Sequence, residues 1–240
     1  DGHLEILVMR KIKVVQPSDR GFRLMDDFIE AGGVAFSVSR YGYENLKKIS
    51  DIDLQLLVSE DDDLAVKLLK PFLKHEANNL VLQLRLIFSS RNYDVIYYAS
   101  DRHPYLISLA RLLGLCRAPI LMICHFTYNT TYVDGFFKKL FLRLERWLVF
   151  KGMDKICFLS PKIRELACED YDVPAKHRSV CNWGADLKYF SEVAETSVPV
   201  PGQYYFSSGG AMRDYRTLID AFRELPYILV LSCSKSVVYE

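Results

Sequence analysis

From Tyr93 onward the apolar positions fall into short uninterrupted runs that alternate with longer stretches of helical spacing. Asp94-Val-Ile-Tyr-Tyr-Ala99, Ala118 to Cys124 and Lys155 to Leu159 read as buried strands. Tyr105 to Leu113, Gly135 to Lys151 and Lys162 to Asp170 read as the helices between them. Asp101-Arg-His-Pro104 and Ser160-Pro161 are turn and cap signals with proline at the first helical position. Continuous apolar strands separated by helices predict a parallel sheet covered on both faces, because right-handed crossovers place the helices there. The expected fold class is α/β, a doubly wound parallel sheet.

Upstream the pattern is looser. Leu4 to Met9 predicts a strand, Arg10 to Lys13 a basic link, and Val14 to Arg23 a loop marked by Pro17 and Gly21. Leu24 to Ala31 predicts a helix closed by Gly32-Gly33, and Val34 to Val38 the next strand. Ile52 to Val58 alternates like a strand, with the acids Glu60 to Asp63 placed to cap a following helix. Leu64 to Lys74 and Leu80 to Phe88 predict helices, Pro71 breaking or kinking the first.

Ser179 to Phe190 (SVCNWGADLKYF) runs a short strand into a Trp-Gly turn, and the pattern then starts again. Such a hinge between α/β units is expected to border a ligand cleft. Residues 191–203 predict a linker, followed by strand Tyr204 to Ser208, the turn Gly209-Gly210-Ala-Met, helix Asp214 to Leu225 and a strand from Tyr227. The expected domains are therefore 1–190, the linker 191–203, and an incomplete second domain over 204–240, since so few strands cannot close a core.

Composition narrows the function classes. Lysine plus arginine total 31 against 30 acids, a formal charge of +1, which argues against broad binding to nucleic acid. The six cysteines are scattered without a CxxC pair, so reduced, mostly buried thiols and a cytoplasmic setting are expected, with no metal site. No apolar span long enough to cross a membrane is present. The helix from Phe136 to Lys151 nevertheless mixes aromatics with Lys138, Lys139 and Arg143, which makes a peripheral contact with anionic lipid a candidate interaction.

In a doubly wound sheet the ligand crevice lies outside the carboxyl ends of the strands. That rule selects Asp101, Arg102, His103, His125 and Ser160, and then Gly209 to Arg213. His125 precedes Phe126, Thr127 and Tyr128, a rim suited to a hydroxyl-rich ligand, though a buried structural histidine would look the same. Gly209 and Gly210 before a helix could bring backbone N–H groups to a phosphate with Arg213 beside it, and equally could serve turn geometry alone.

The order of Glu145 and its apolar helix, Asp154-Lys-Ile-Cys-Phe-Leu-Ser160, Tyr171-Asp-Val-Pro174, Asn182-Trp-Gly-Ala-Asp186 with Phe190, and Ser208 to Phe222 resembles the retaining glycosyltransferases of family 4. The resemblance implies a GT-B fold of two Rossmann-like domains, an acceptor-side one and a donor-binding one. It implies transfer of a sugar from a nucleoside diphosphate sugar to a glycan, lipid or small-molecule acceptor, as in polysaccharide biosynthesis. By the same resemblance His125 lies beside the donor sugar and the reaction centre, Gly209, Gly210 and Arg213 bind the donor diphosphate, and Gly21, Arg102, His103, Thr127 and Asp186 are acceptor-side or cleft residues. The nucleotide sugar is then a substrate, with no separate cofactor. The family's paired-glutamate element would fall past Glu240, so this chain alone is expected to be incomplete and inactive. Two other readings are a nucleotide-sugar epimerase of similar fold and a non-catalytic half-domain that needs a partner subunit.

Overall fold

A computed structural model describes residues 10–18, 42–59, 63–73, 76–99, 103–125, 135–182, 184, 187–196, 202–209 and 214–232. The chain divides into two units, Asp1–Tyr189 and Phe190–Glu240.

In the first unit the elements are β1 (Ile12–Ser18), α1 (Tyr43–Lys47), β2 (Ile52–Val58), α2 (Leu64–Leu73), α3 (Glu76–Ser89), β3 (Val95–Tyr98), α4 (Tyr105–Leu112), β4 (Ile120–Cys124), α5 (Phe136–Gly152), β5 (Lys155–Phe158), α6 (Pro161–Tyr171) and β6 (Arg178–Val180). The strands form one six-stranded sheet in the order β2-β1-β3-β4-β5-β6. Every pair is parallel, from Ile12 opposite Ile52 to Phe158 opposite Val180. The direction of winding reverses between β1 and β3, which makes their carboxyl ends the switch point of the sheet.

Side chains that alternate along the strands fill two cores. Val15, Ile96, Tyr98, Ile120, Met122, Ile156 and Phe158 pack with Leu86 of α3, Ile107 and Ala110 of α4, Val149 and Phe150 of α5 and Ala167 of α6. The intervening positions Val14, Tyr97 and Ala99 face the other way, with Leu46 of α1 against them. This division follows from right-handed crossovers: the connections from β2 onward advance in one direction and share a face, whereas β1 to β2 runs back across the other. Burial pushes the Tyr97 phenol up to about 12.

Several elements differ from the sequence reading. The segment from Val14, expected as a loop, belongs to β1, because Pro17 is tolerated where it stands. Ile12 donates to Asp51 on the β2 side and Lys13 accepts from Asp94 on the β3 side, so alternation turns position 17 toward β3. Pairing with β3 ends at Val15 opposite Ile96, and no ladder bond is lost to the missing N–H. Pro71 neither breaks nor visibly ends α2, which continues to Leu73. Pro104 takes the capping position before α4 rather than its first helical residue. Cys181 is exposed rather than buried. Leu4 to Met9, Leu24 to Ala31 and Val34 to Val38 lie outside the described residues.

Residues 191–196, expected in a linker, continue the helix α7 (Leu187–Thr196). In the second unit β7 (Tyr204–Ser208) and β8 (Ile228–Ser232) pair in parallel, with α8 (Tyr215–Phe222) between them. Asp214 caps α8 by accepting from the Thr217 N–H at 3.0 Å, and that bond lowers its carboxyl below the usual range. Tyr205 packs edge-on against Phe222 and Tyr227 at 5.4 and 5.3 Å between ring centroids.

Candidate functional site

The carboxyl edge of the first sheet carries a tied group of polar side chains. His103 follows β3 and adopts a left-handed backbone conformation, φ 49°, which histidine enters more readily than bulky or branched residues. Two side chains of α3 hold its carbonyl: Asn79 Nδ2 donates at 3.3 Å and Gln83 Nε2 at 3.1 Å. The same Gln83, fully buried, accepts through Oε1 from the N–H groups of Leu106 (2.9 Å) and Ile107 (3.1 Å). It thereby satisfies donors at the start of α4 that Pro104 has no side chain to cap. The loop is thus fixed from both sides.

The imidazole of His103 is fixed as well. Its Nδ1 lies 2.8 Å from Oε1 of Glu145 on α5, with the histidine side chain 44% exposed and the glutamate 10%. A carboxylate beside Nδ1 selects the tautomer that carries the proton there, which makes Nε2 the accepting nitrogen of the neutral ring. A half-exposed imidazole oriented by a buried carboxylate can accept a hydrogen bond or a proton from a hydroxyl group.

His125 occupies the position directly after β4, the neighbour of β3 through the pair Tyr98–Met122, and is half-buried. The structure therefore brings His103 and His125 to the same edge of adjacent strands. Buried polar residues also end β1 and follow β2: Gln16, Ser18 and Ser59 are all inaccessible at that edge. The Ser59 hydroxyl has no hydrogen-bond partner among the described residues. Ser160, after β5, is accounted for by capping, since its Oγ accepts from the Ile163 N–H at 3.2 Å.

In the second unit Gly209 closes β7. Its N–H donates to Ser232 O at 3.2 Å and its carbonyl accepts from the buried Tyr215 hydroxyl at 2.9 Å, so the strand-to-helix turn is pinned from α8. Gly21, Arg102, Thr127, Asp186, Gly210 and Arg213 lie outside the described residues.

Sequence patterning selected His103 and His125 through the rule that loops after strands carry ligands. It gave Gln83 no role, and it placed Glu145 in a motif without a partner. The available signal for both was a polar residue within an otherwise apolar helical run.

Among the described residues no cluster of His, Cys, Asp and Glu could hold a metal ion, and no helix is long and apolar enough to cross a membrane.

A doubly wound parallel sheet with an oriented histidine at its switch-point edge defines an α/β protein of the Rossmann-like class. The model of Glycosyltransferase Family 4 matches residues 63–189, more than half of the sequence and the stretch that contains His103, His125 and Glu145. The chain belongs to this family. Among solved structures it is similar to UDP-N-acetylglucosamine 2-epimerase from Rickettsia bellii, at 15% identity and a TM-score of 0.49 over 95% of this chain and 64% of that one. It is also similar to the Anabaena HepE protein in complex with UDP and glucose, at 13% identity and a TM-score of 0.47 over 92% of this chain and 60% of that one. It spans less than two-thirds of either. No curated protein is matched.

Proposed function

We propose that the chain is part of a retaining glycosyltransferase that moves a sugar from a nucleoside diphosphate sugar to a hydroxyl of a glycan, lipid or small-molecule acceptor. The observation that carries this reading is the family match across residues 63–189, because it covers the sheet edge on which two histidines stand. In the reaction the acceptor oxygen bonds to the anomeric carbon, the bond to the diphosphate oxygen breaks, and the diphosphate leaves with the electron pair. The acceptor's proton passes to the departing diphosphate oxygen as the acceptor oxygen becomes glycosidic.

Gly209, Gly210 and Arg213 would meet the growing negative charge on the diphosphate, where backbone N–H groups and a guanidinium favour the transition state. His125 would lie beside the donor sugar. His103, oriented by Glu145, would bind an acceptor hydroxyl, with Gly21, Arg102, Thr127 and Asp186 around donor and acceptor. The setting would be the cytoplasm.

The test is to incubate the intact enzyme that contains this chain with a panel of nucleoside diphosphate sugars, with and without acceptors, and to follow both sugar and nucleotide by NMR. Acceptor-dependent transfer with the anomeric configuration kept is expected, and His125→Ala and Arg213→Ala should each reduce it greatly. Normal turnover in both variants would overturn those two assignments. Conversion of the donor to its epimer without an acceptor would replace transfer by epimerisation.

A further inference from the structure

The amino-terminal half of α5 carries an apolar surface that the core does not use. Phe136 and Phe137 are 74% and 82% exposed, and Leu140, Phe141 and Leu144 are exposed after them. At 100° per residue these five side chains fall within an arc of roughly 140° on the helix. Val149, which is buried, projects from the opposite side, and the buried Glu145 turns inward beyond the Phe141 border. The helix therefore has two apolar faces: one is covered by the sheet and α4, and the other points outward. A contiguous exposed patch of this kind marks an interaction surface rather than ordinary surface scatter.

Charge identifies what the outward face meets. Lys138, Lys139 and Arg143, all exposed, flank this arc, the first beyond Phe141 and the other two beyond Phe136, and no acid occurs from Phe136 to Leu144. The single acid of α5, Glu145, is turned inward and paired with His103. Phenylalanine and leucine on one arc, with lysine and arginine along its two borders and carboxylates absent, match the boundary between acyl chains and anionic headgroups. Long basic side chains can bury their stems beside the rings while their charges remain with the phosphates.

We propose that α5 docks the chain onto an anionic membrane surface through Phe136, Phe137, Leu140 and Phe141, with Lys138, Lys139 and Arg143 on the headgroups. The contact is peripheral: the helix lies along the interface and does not span it. It stands independently of any sugar transfer.

The experiment is co-sedimentation of the full chain with vesicles of phosphatidylcholine alone and of phosphatidylcholine and phosphatidylglycerol in equal parts. Binding is expected to the mixed vesicles, to be weaker on the neutral ones, and to fall as salt is added. Replacing Lys138 and Lys139 together by glutamine should weaken partition by roughly twentyfold, about fivefold for each charge. Phe137→Ser with Phe141→Ser should abolish binding to both vesicle types. These side chains are exposed, so the thermal transition of each variant should match that of the parent, which separates lost docking from lost folding. Absence of binding to the mixed vesicles would overturn the proposal. So would equal binding by the parent and the serine variant, or a parent that forms dimers through this face and stays in the supernatant when the vesicles sediment.

Discussion

Nδ1 of His103 stands 2.8 Å from Oε1 of Glu145, so a residue in the loop after β3 is joined to one in the middle of α5, 42 positions away in sequence. The pair links the carboxyl edge of the sheet to the helix that covers it. If Glu145 orients His103 toward an acceptor hydroxyl, the two residues act as a unit. His103→Ala and Glu145→Leu should each lower kcat about a hundredfold with a smaller change in KM, and the double variant should be little worse than either single one. Single losses that multiply in the double variant would show that the two residues act independently in the reaction. Steady-state kinetics on the donor and acceptor identified by the transfer assay would read this.

Gln83 makes the local structure around that pair possible. Its amide donates to His103 O and Asn79 Oδ1, and its carbonyl caps the start of α4. Gln83→Leu keeps the volume but leaves the N–H groups of Leu106 and Ile107 without their acceptor and the His103 carbonyl with Asn79 alone. A loss of about 2–4 kcal/mol in denaturant melts is expected, from a missing cap together with unsatisfied backbone groups. A change under about 0.5 kcal/mol would mean that other groups or water take over the cap.

Gly152 ends α5 where it crosses α4 most closely. A Cβ at this position would come within 2.5 Å of the Ser108 carbonyl oxygen and 2.8 Å of its carbon, both backbone atoms that cannot rotate away. Gly152→Ala should therefore destabilise the chain by about 1–3 kcal/mol through overpacking, despite alanine's better helix propensity. Urea unfolding followed by circular dichroism would measure it, and a neutral or stabilising result would show that the two helices separate easily.

The Asp154 carboxylate organises the opposite, amino-terminal edge. It receives Arg111 through two bonds of 2.7 and 2.8 Å and the Ile120 N–H at 2.8 Å. Burial pushes its carboxyl up, but the Arg111 hydrogen bond, the Ile120 N–H and the attraction of Arg111 outweigh this and leave it below the usual value. A lowered folded-state value means that the stabilisation is fully present above the unfolded-chain value of about 3.9 and is lost as pH falls through the folded one. Asp154→Asn should cost about 1–2 kcal/mol near neutral pH, a figure reduced for partial exposure. The gap between variant and parent should narrow in melts carried below about pH 4. A gap that is unchanged across that range would remove ionisation from the account.

The α/β class, β2, β7 and the succession of strands and helices from β3 to β6 follow from the sequence alone, because continuous apolar runs and helical spacing are local signals. Capping at Ser160 was equally legible, since a cap lies within one turn of the residues it serves. His103 and His125 were selected by their places after strands, a rule of topology that needs no coordinates.

Tertiary structure decided the rest. Pro17 looked like a loop marker until the register showed its missing N–H turned toward a side where pairing had already ended. Gln83 and Glu145 gained their roles from partners 20 or more residues away, and the outward face of α5 became visible only when the sheet and α4 had taken the other. Local propensity is written in neighbouring residues. Which polar atoms meet, and which apolar faces remain uncovered, depends on how distant elements pack, and no periodicity in a single segment encodes that.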